Sequence, residues 1–164
     1  MKKLLIPTSL ALGVAFWAGA LDAHHSFSMF DRTREEVVVG EVVRWGFNSP
    51  HVALYVRDDD GTQWGFEGAA PAAILGRDPI MNGFTLTPGD TITMVHCPLG
   101  DGRPGGAIGL IITADDTVYN PSDGGCAASQ RADEWPEWIE MGYMSKAEAE
   151  EALGIDGPDP DEEP

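Results

Sequence analysis

The chain has 164 residues, enough for one domain with appendages, and 43% of them are hydrophobic, as in ordinary globular proteins. Ten Lys and Arg stand against 27 Asp and Glu, which gives a net charge of −17. A protein this acidic is not expected to bind a nucleic-acid backbone or anionic lipid, because both attract positive charge. No uninterrupted apolar stretch is long enough for a membrane span, so a channel or transporter is excluded as well.

Residues 1–23 are predicted to be a secretory signal. Two lysines follow the initiator Met, and the apolar core over residues 10–20 is too short to span a bilayer comfortably. Two cleavage sites compete, one after Ala20 and one after Ala23, and an uncleaved anchor is the alternative. The signal predicts a periplasmic or secreted protein that is free of the membrane after cleavage.

Two cysteines are too few for a disulfide-dense miniprotein. In an oxidising compartment Cys97 and Cys126 are expected to form one disulfide. Two free thiols or metal-bound thiolates are the alternative.

Strand patterns and turns alternate after the signal. The first strand carries Val37, Val39 and Val43 on one parity, and its Gly40 would tolerate a bend or bulge. Asp-Gly at 60–61 favours a hairpin turn, and the residues T-P-G-D at 87–90 predict another turn. The predicted elements are strands over 35–47, 51–58 and 62–67, a short helix over 69–75, and strands over 91–97 and 107–113. This order predicts an all-β fold, a small OB-like five-stranded barrel over residues 24–119.

A C-terminal extension over residues 120–153 follows the barrel. A capping box at 145–148 predicts a short helix that ends near Leu153. Residues 154–164 are acidic and Pro-rich, and we expect them to be disordered. Trp135, Trp138 and Tyr143 would either form a surface for a partner protein or cover an open edge or end of the barrel.

Four short segments stand in a distinctive order. They are A-H-H-S-F-S-M-F-D at 23–31, N-S-P-H at 48–51, L-T-P-G-D at 86–90 and H-C-P-L-G-D-G at 96–102. Over about residues 23–115 the chain resembles an uncharacterised family of small exported bacterial proteins, the domain-of-unknown-function family 6152. Its members carry A-H-H-S-F, N-P-H, L-x-P-G-D and H-P-x-x-D-G segments.

The resemblance implies a secreted, β-barrel-like domain and carries no activity with it. The chain departs from the pattern at Ser49, which is inserted, and at Cys97, which interrupts His-Pro. Both cysteines and the tail after Tyr119 therefore lie outside what the resemblance supports.

All four histidines, His24, His25, His51 and His96, lie in these segments. Neutral imidazole suits copper, zinc and nickel. If the signal is cut after Ala23, the α-amine and ring of His24 can chelate one ion, and His51 or His96 would complete a histidine brace. His25 would be a further ligand or a neighbour. In the structural alternative, His96 is a core residue that is hydrogen-bonded to the backbone, and His24 and His25 belong to a frayed terminus.

These residues favour a periplasmic transition-metal protein that handles or delivers copper without turnover, with zinc or no metal as alternatives. Met29 and Met94 are candidate soft ligands for Cu(I) or ordinary core residues. The second hypothesis is a non-catalytic ligand- or protein-binding module with structural histidines. A copper enzyme is a third.

Overall fold

The computed structural model describes residues 27–155. The predicted signal with its cleavage sites, His24, His25 and most of the predicted disordered tail lie outside the described residues. The strands are β1 (Glu36–Gly46), β2 (Ala53–Arg57), β3 (Gln63–Glu67), β4 (Thr91–Pro98), β5 (Gly105–Thr113) and β6 (Val118–Tyr119). The helices are α1 (Pro71–Ile74), α2 (Trp135–Glu140) and α3 (Lys146–Leu153), with 3-10 turns at Phe27–Met29 and Ala127–Arg131. None of these helices is long and apolar enough to cross a membrane.

The sheet order is β3-β2-β1-β4-β5-β6, and each neighbouring pair is antiparallel. A parallel pairing of β3 with β5, which matches Gly65 with Gly105, closes the first five strands into a barrel. Helix α1 lies between β3 and β4 in the chain, as an OB-like order requires. The prediction of a small five-stranded OB-like barrel is confirmed, with β6 as one strand more than the sequence predicted.

The first strand bends because it pairs with two partners in succession. Residues 36–41 pair with β4 and residues 41–46 with β2. The register shifts between Val42 and Arg44, so the bulge lies there and not at Gly40. Gly40 serves a different purpose, since a Cβ at this position would lie 2.4 Å from the carbonyl oxygen of Arg57. Only glycine allows the two strands this close approach.

The barrel interior is the larger of two apolar cores. Val38 and Val42 of β1 point into it, together with Leu54, Phe66 and Ile111. Val37 and Val39 share a face, as their parity predicts, but this is the outer face of the strand and not the barrel interior. Val37 is buried on the opposite side of the strand, Val39 is 43% exposed, and the bulge moves the later residues out of phase.

The second core lies between the outer face of the barrel and the C-terminal extension. Trp135 is fully buried in it, and Trp138 is 4% exposed. Tyr143 packs against the same cluster. This burial favours the predicted covering role over a partner surface, since the two indole rings already contact their own chain.

The extension is held to the barrel by covalent, ionic and backbone bonds. Cys97 of β4 forms a disulfide with Cys126, with their Cα atoms 5.3 Å apart. The carboxylate of Glu35, 2% exposed, accepts bonds from Arg131 Nη1 (2.6 Å) and Trp135 Nε1 (2.9 Å). Because an unpaired buried carboxylate is costly, these two donors fix the extension in place.

Residues 144–146 also run along the beginning of β1. Val37 N donates to Met144 O at 2.9 Å, and Lys146 N donates to Glu35 O at 2.9 Å. The predicted helix over 146–153 is confirmed, with Ser145 Oγ accepting from Glu148 N at 3.3 Å. The extension therefore pairs with the start of β1, beyond the residues that β2 reaches.

Candidate functional site

A cleft of about 470 Å³ lies where β2, β3 and the start of β5 meet the 3-10 turn Phe27–Met29. This volume falls within the usual range of small-molecule sites. Its apolar lining includes Met29, Phe30, Pro50 and Leu99, and its polar lining includes His51, Tyr55, Glu67 and Arg103.

His51 is half-buried at one side of this cleft, with 18% of its side chain exposed. Its Nδ1 lies 2.9 Å from the carbonyl oxygen of Gly68. Because a carbonyl can only accept, the bond requires the proton on Nδ1 and places the lone pair of the neutral ring on Nε2. Metal-binding histidines commonly have this arrangement, with one nitrogen oriented by a backbone carbonyl and the other bound to the ion.

Two carboxylates flank the imidazole. Glu67 Oε1 lies 3.5 Å from His51 Nδ1, and Asp123 Oδ2 lies 3.9 Å from it. Glu67 ends β3, whereas Asp123 belongs to the loop that leads to Cys126. Neither residue belongs to a motif that stands out in the sequence. Their charges favour a cation beside the ring.

Phe27, the first residue that the structure describes, lies close to Asp123. The Phe27 ring (Cδ1) and the Asp123 carboxylate (Oδ1) each lie 2.9 Å from where a Cβ on Gly125 would stand. Gly125 N donates to that carboxylate oxygen at 2.9 Å. Phe27 therefore lies next to Asp123, at the side of the cleft where His51 is.

His96 lies in the barrel interior with no exposed surface. Its ring centroid is 5.0 Å from that of Phe66 and 5.6 Å from that of Trp64. A Cβ on Gly106, which lines the cleft, would lie 2.7 Å from His96 Nδ1, so the ring is behind the cleft floor. The structure therefore does not bring His96 and His51 together at the cleft surface.

This placement favours the core alternative for His96, but without the expected hydrogen bond. Neither ring nitrogen has a partner of good geometry within residues 27–155. Burial lowers the pKa of His96 from its ordinary 6.5 to about 4, and the nearby backbone of Cys97 offsets only part of this effect.

Acid should therefore destabilise the fold through His96. Above pH 6.5 the ring is neutral in both the folded and the unfolded chain. Between that pH and about 4 the unfolded chain takes up a proton that the folded chain does not, so up to about 3 kcal/mol of folding free energy is lost. Urea unfolding of wild type and His96→Leu at pH 7 and pH 4 should show the wild type losing more than the variant. A difference between the two proteins that does not change with pH would contradict this.

Residues 27–155 contain no group of three or more His, Cys, Asp or Glu side chains arranged to hold a metal ion. Cys97 and Cys126 are not thiols, because they are bonded to each other. The predicted ligands for a metal at His51 include residues outside this range. The predicted His24 and His25 lie there.

A family model for a family of unknown function, DUF6152, matches residues 12–108, more than half of the chain. The chain belongs to this family. The DUF6152 match contains all four histidines and ends within β5, so it leaves out Asp123, Cys126 and the extension. No curated protein and no solved structure matches the chain.

Proposed function

We propose that the mature protein is a periplasmic copper-binding protein that holds the ion at the His51 side of the cleft and handles or delivers it without turnover. One observation carries the proposal. The bond from His51 Nδ1 to the Gly68 carbonyl orients the ring and puts its lone pair on Nε2. Zinc is the alternative ion for the same imidazole.

The remaining ligands would come from His24 and His25. His24 precedes Phe27 by three residues, so its Cα lies no more than about 11 Å from that of Phe27. Phe27 is next to Asp123, whose Oδ2 lies 3.9 Å from His51 Nδ1. The segment can therefore reach the ring. With the signal cut after Ala23, the α-amine and imidazole of His24 and the imidazole of His51 would form the brace.

The carboxylates of Glu67 and Asp123 support a cation at this place. Both lie within 4 Å of His51 Nδ1, the protonated nitrogen, and their negative charge attracts a cation that binds at Nε2 of the same ring. His96 is left out of this ligand set. To reach an ion in the cleft its ring would have to leave the aromatic contacts of Phe66 and Trp64.

Copper titration in competition with a chelator of known affinity tests the proposal. The protein that starts at His24 is compared with one that carries an extra alanine before His24, and with His51→Ala. Each change removes one nitrogen ligand, so Cu(II) affinity should fall at least about 100-fold. His96→Leu is the matched control and should bind as the wild type does. Equal affinities for all four proteins would refute the brace.

The second candidate, a ligand-binding module, is favoured by the cleft itself. Met29, Phe30, Pro50 and Leu99 give an apolar wall around a volume that suits a small organic molecule. A thermal-shift screen with metal-free protein would test it. The predicted partner surface on Trp135 and Trp138 does not contribute, since both rings are buried.

A further inference from the structure

Met29 differs from the core methionines of the barrel. Met81 is 1% exposed and Met94 is fully buried, so both are ordinary packing residues. Met29 is 50% exposed, and it lines the same cleft as His51. A methionine exposed to this degree contributes less to packing than the two core methionines, and it borders the space in which an ion would bind.

The backbone holds this residue at the cleft wall. Gly100 N donates to Met29 O at 2.8 Å, and Phe30 N donates to Phe27 O at 3.0 Å. The next residue, Phe30, forms a β-bridge with Leu99. The backbone of Met29 is thus tied to the loop that follows β4.

We propose that Met29 supplies a thioether ligand to Cu(I) in the cleft, alongside His51, so that one site accepts copper in either oxidation state. The inference rests on the proposed function. Thioethers are soft ligands that favour Cu(I), whereas imidazole and amine nitrogens also bind Cu(II). The two cysteine sulfurs are bonded to each other, so Met29 is the sulfur-bearing ligand that residues 27–155 offer to this cleft. Binding of Cu(I) or of Cu(II) to this site involves no electron transfer.

The test compares Met29→Leu with wild type in two titrations. Under anaerobic conditions with excess ascorbate, competition with a chromophoric Cu(I) chelator should show about 10-fold or greater weakening for the variant. The Cu(II) affinity of the same variant should stay within about twofold, because the nitrogen ligands are unchanged. Met144→Leu is the matched control, since this methionine is 44% exposed but belongs to the extension and not to the cleft.

X-ray absorption of the Cu(I) form gives a readout that does not depend on affinity. A copper–sulfur contribution in wild type and in Met144→Leu, absent from Met29→Leu, would support the inference. Wild-type Cu(I) affinity in Met29→Leu, with Cu(II) binding that still needs His51, would overturn the Met29 proposal and leave the proposed function intact. Equal weakening for both ions would overturn it too, since the residue would then act only through packing. A wild type that binds neither ion would overturn both.

Discussion

Replacing Trp135 with alanine should lower the free energy of unfolding by about 3–5 kcal/mol. The ring is fully buried in the second core, and its centroid lies 5.1 Å from that of Trp138. Alanine would leave a cavity beneath the extension. It would also remove the indole N–H that donates to Glu35 Oε2 at 2.9 Å, leaving a buried carboxylate with one donor fewer.

A graded series separates these two effects. Trp135→Phe keeps most of the ring and loses the N–H donor, so it should cost less than alanine, about 1–3 kcal/mol. Met141→Ala, which truncates a 47% exposed side chain of the same extension, should stay within about 0.5 kcal/mol of wild type. Urea unfolding followed by tryptophan fluorescence and by circular dichroism measures all three. A Trp135→Ala protein as stable as wild type would show that the extension is not docked as described.

Breaking the Cys97–Cys126 bond should lower the free energy of unfolding by about 3–4 kcal/mol. The two cysteines are 29 residues apart in sequence, and in the chain-entropy description a cross-link over this distance restricts the unfolded chain by that amount. Both sulfurs belong to buried residues, so the native bond should resist reduction until the protein unfolds.

Oxidised and reduced wild type have the same side chains, so their unfolding curves isolate the cross-link. Cys97→Ala/Cys126→Ala provides a second comparison that cannot reoxidise. Mass spectrometry without reductant should find the oxidised chain two hydrogens lighter than the reduced chain. Two thiols that react with an alkylating reagent in the native protein, or equal stability of the two forms, would contradict the prediction.

The order of strands could be predicted from sequence because local chemistry marks the turns. Gly61 and Gly89 both have positive φ, and they lie in the turns that the Asp-Gly and Pro-Gly-Asp patterns predicted. The capping box that begins at Ser145 predicted the last helix in the same way. Such signals need no knowledge of the tertiary structure.

Features that depend on long-range packing were missed or misread. Helix α2 has only six residues and no side-chain cap, so it forms because Trp135 and Trp138 pack against the barrel. The same packing explains the error at Val37, which is apolar on the outer face because the extension covers it. Assigning the core side of a strand from alternation assumes that only one face is buried, whereas β1 has buried residues on both faces.

The candidate site was only partly predictable for a related reason. His51 stood out because the chain has only four histidines. Glu67 and Asp123 did not stand out, because they are two among 27 acidic residues. Asp123 lies near the His51 ring in a loop whose end, Cys126, is held to the barrel by the disulfide to Cys97. Sequence spacing between positions 51, 67 and 123 carries no signal of that proximity.

The way the extension runs along β1 also bears on solubility. Unpaired strand edges are places where one β-protein can add to another and aggregate. In this fold β5 is paired with β3 at its start and with β6 at its end, and residues 144–146 cover the start of β1. Without residues 144–146 that edge would be open as a template for a second molecule. The extension thus pairs a strand edge that would otherwise be open to a second β-protein.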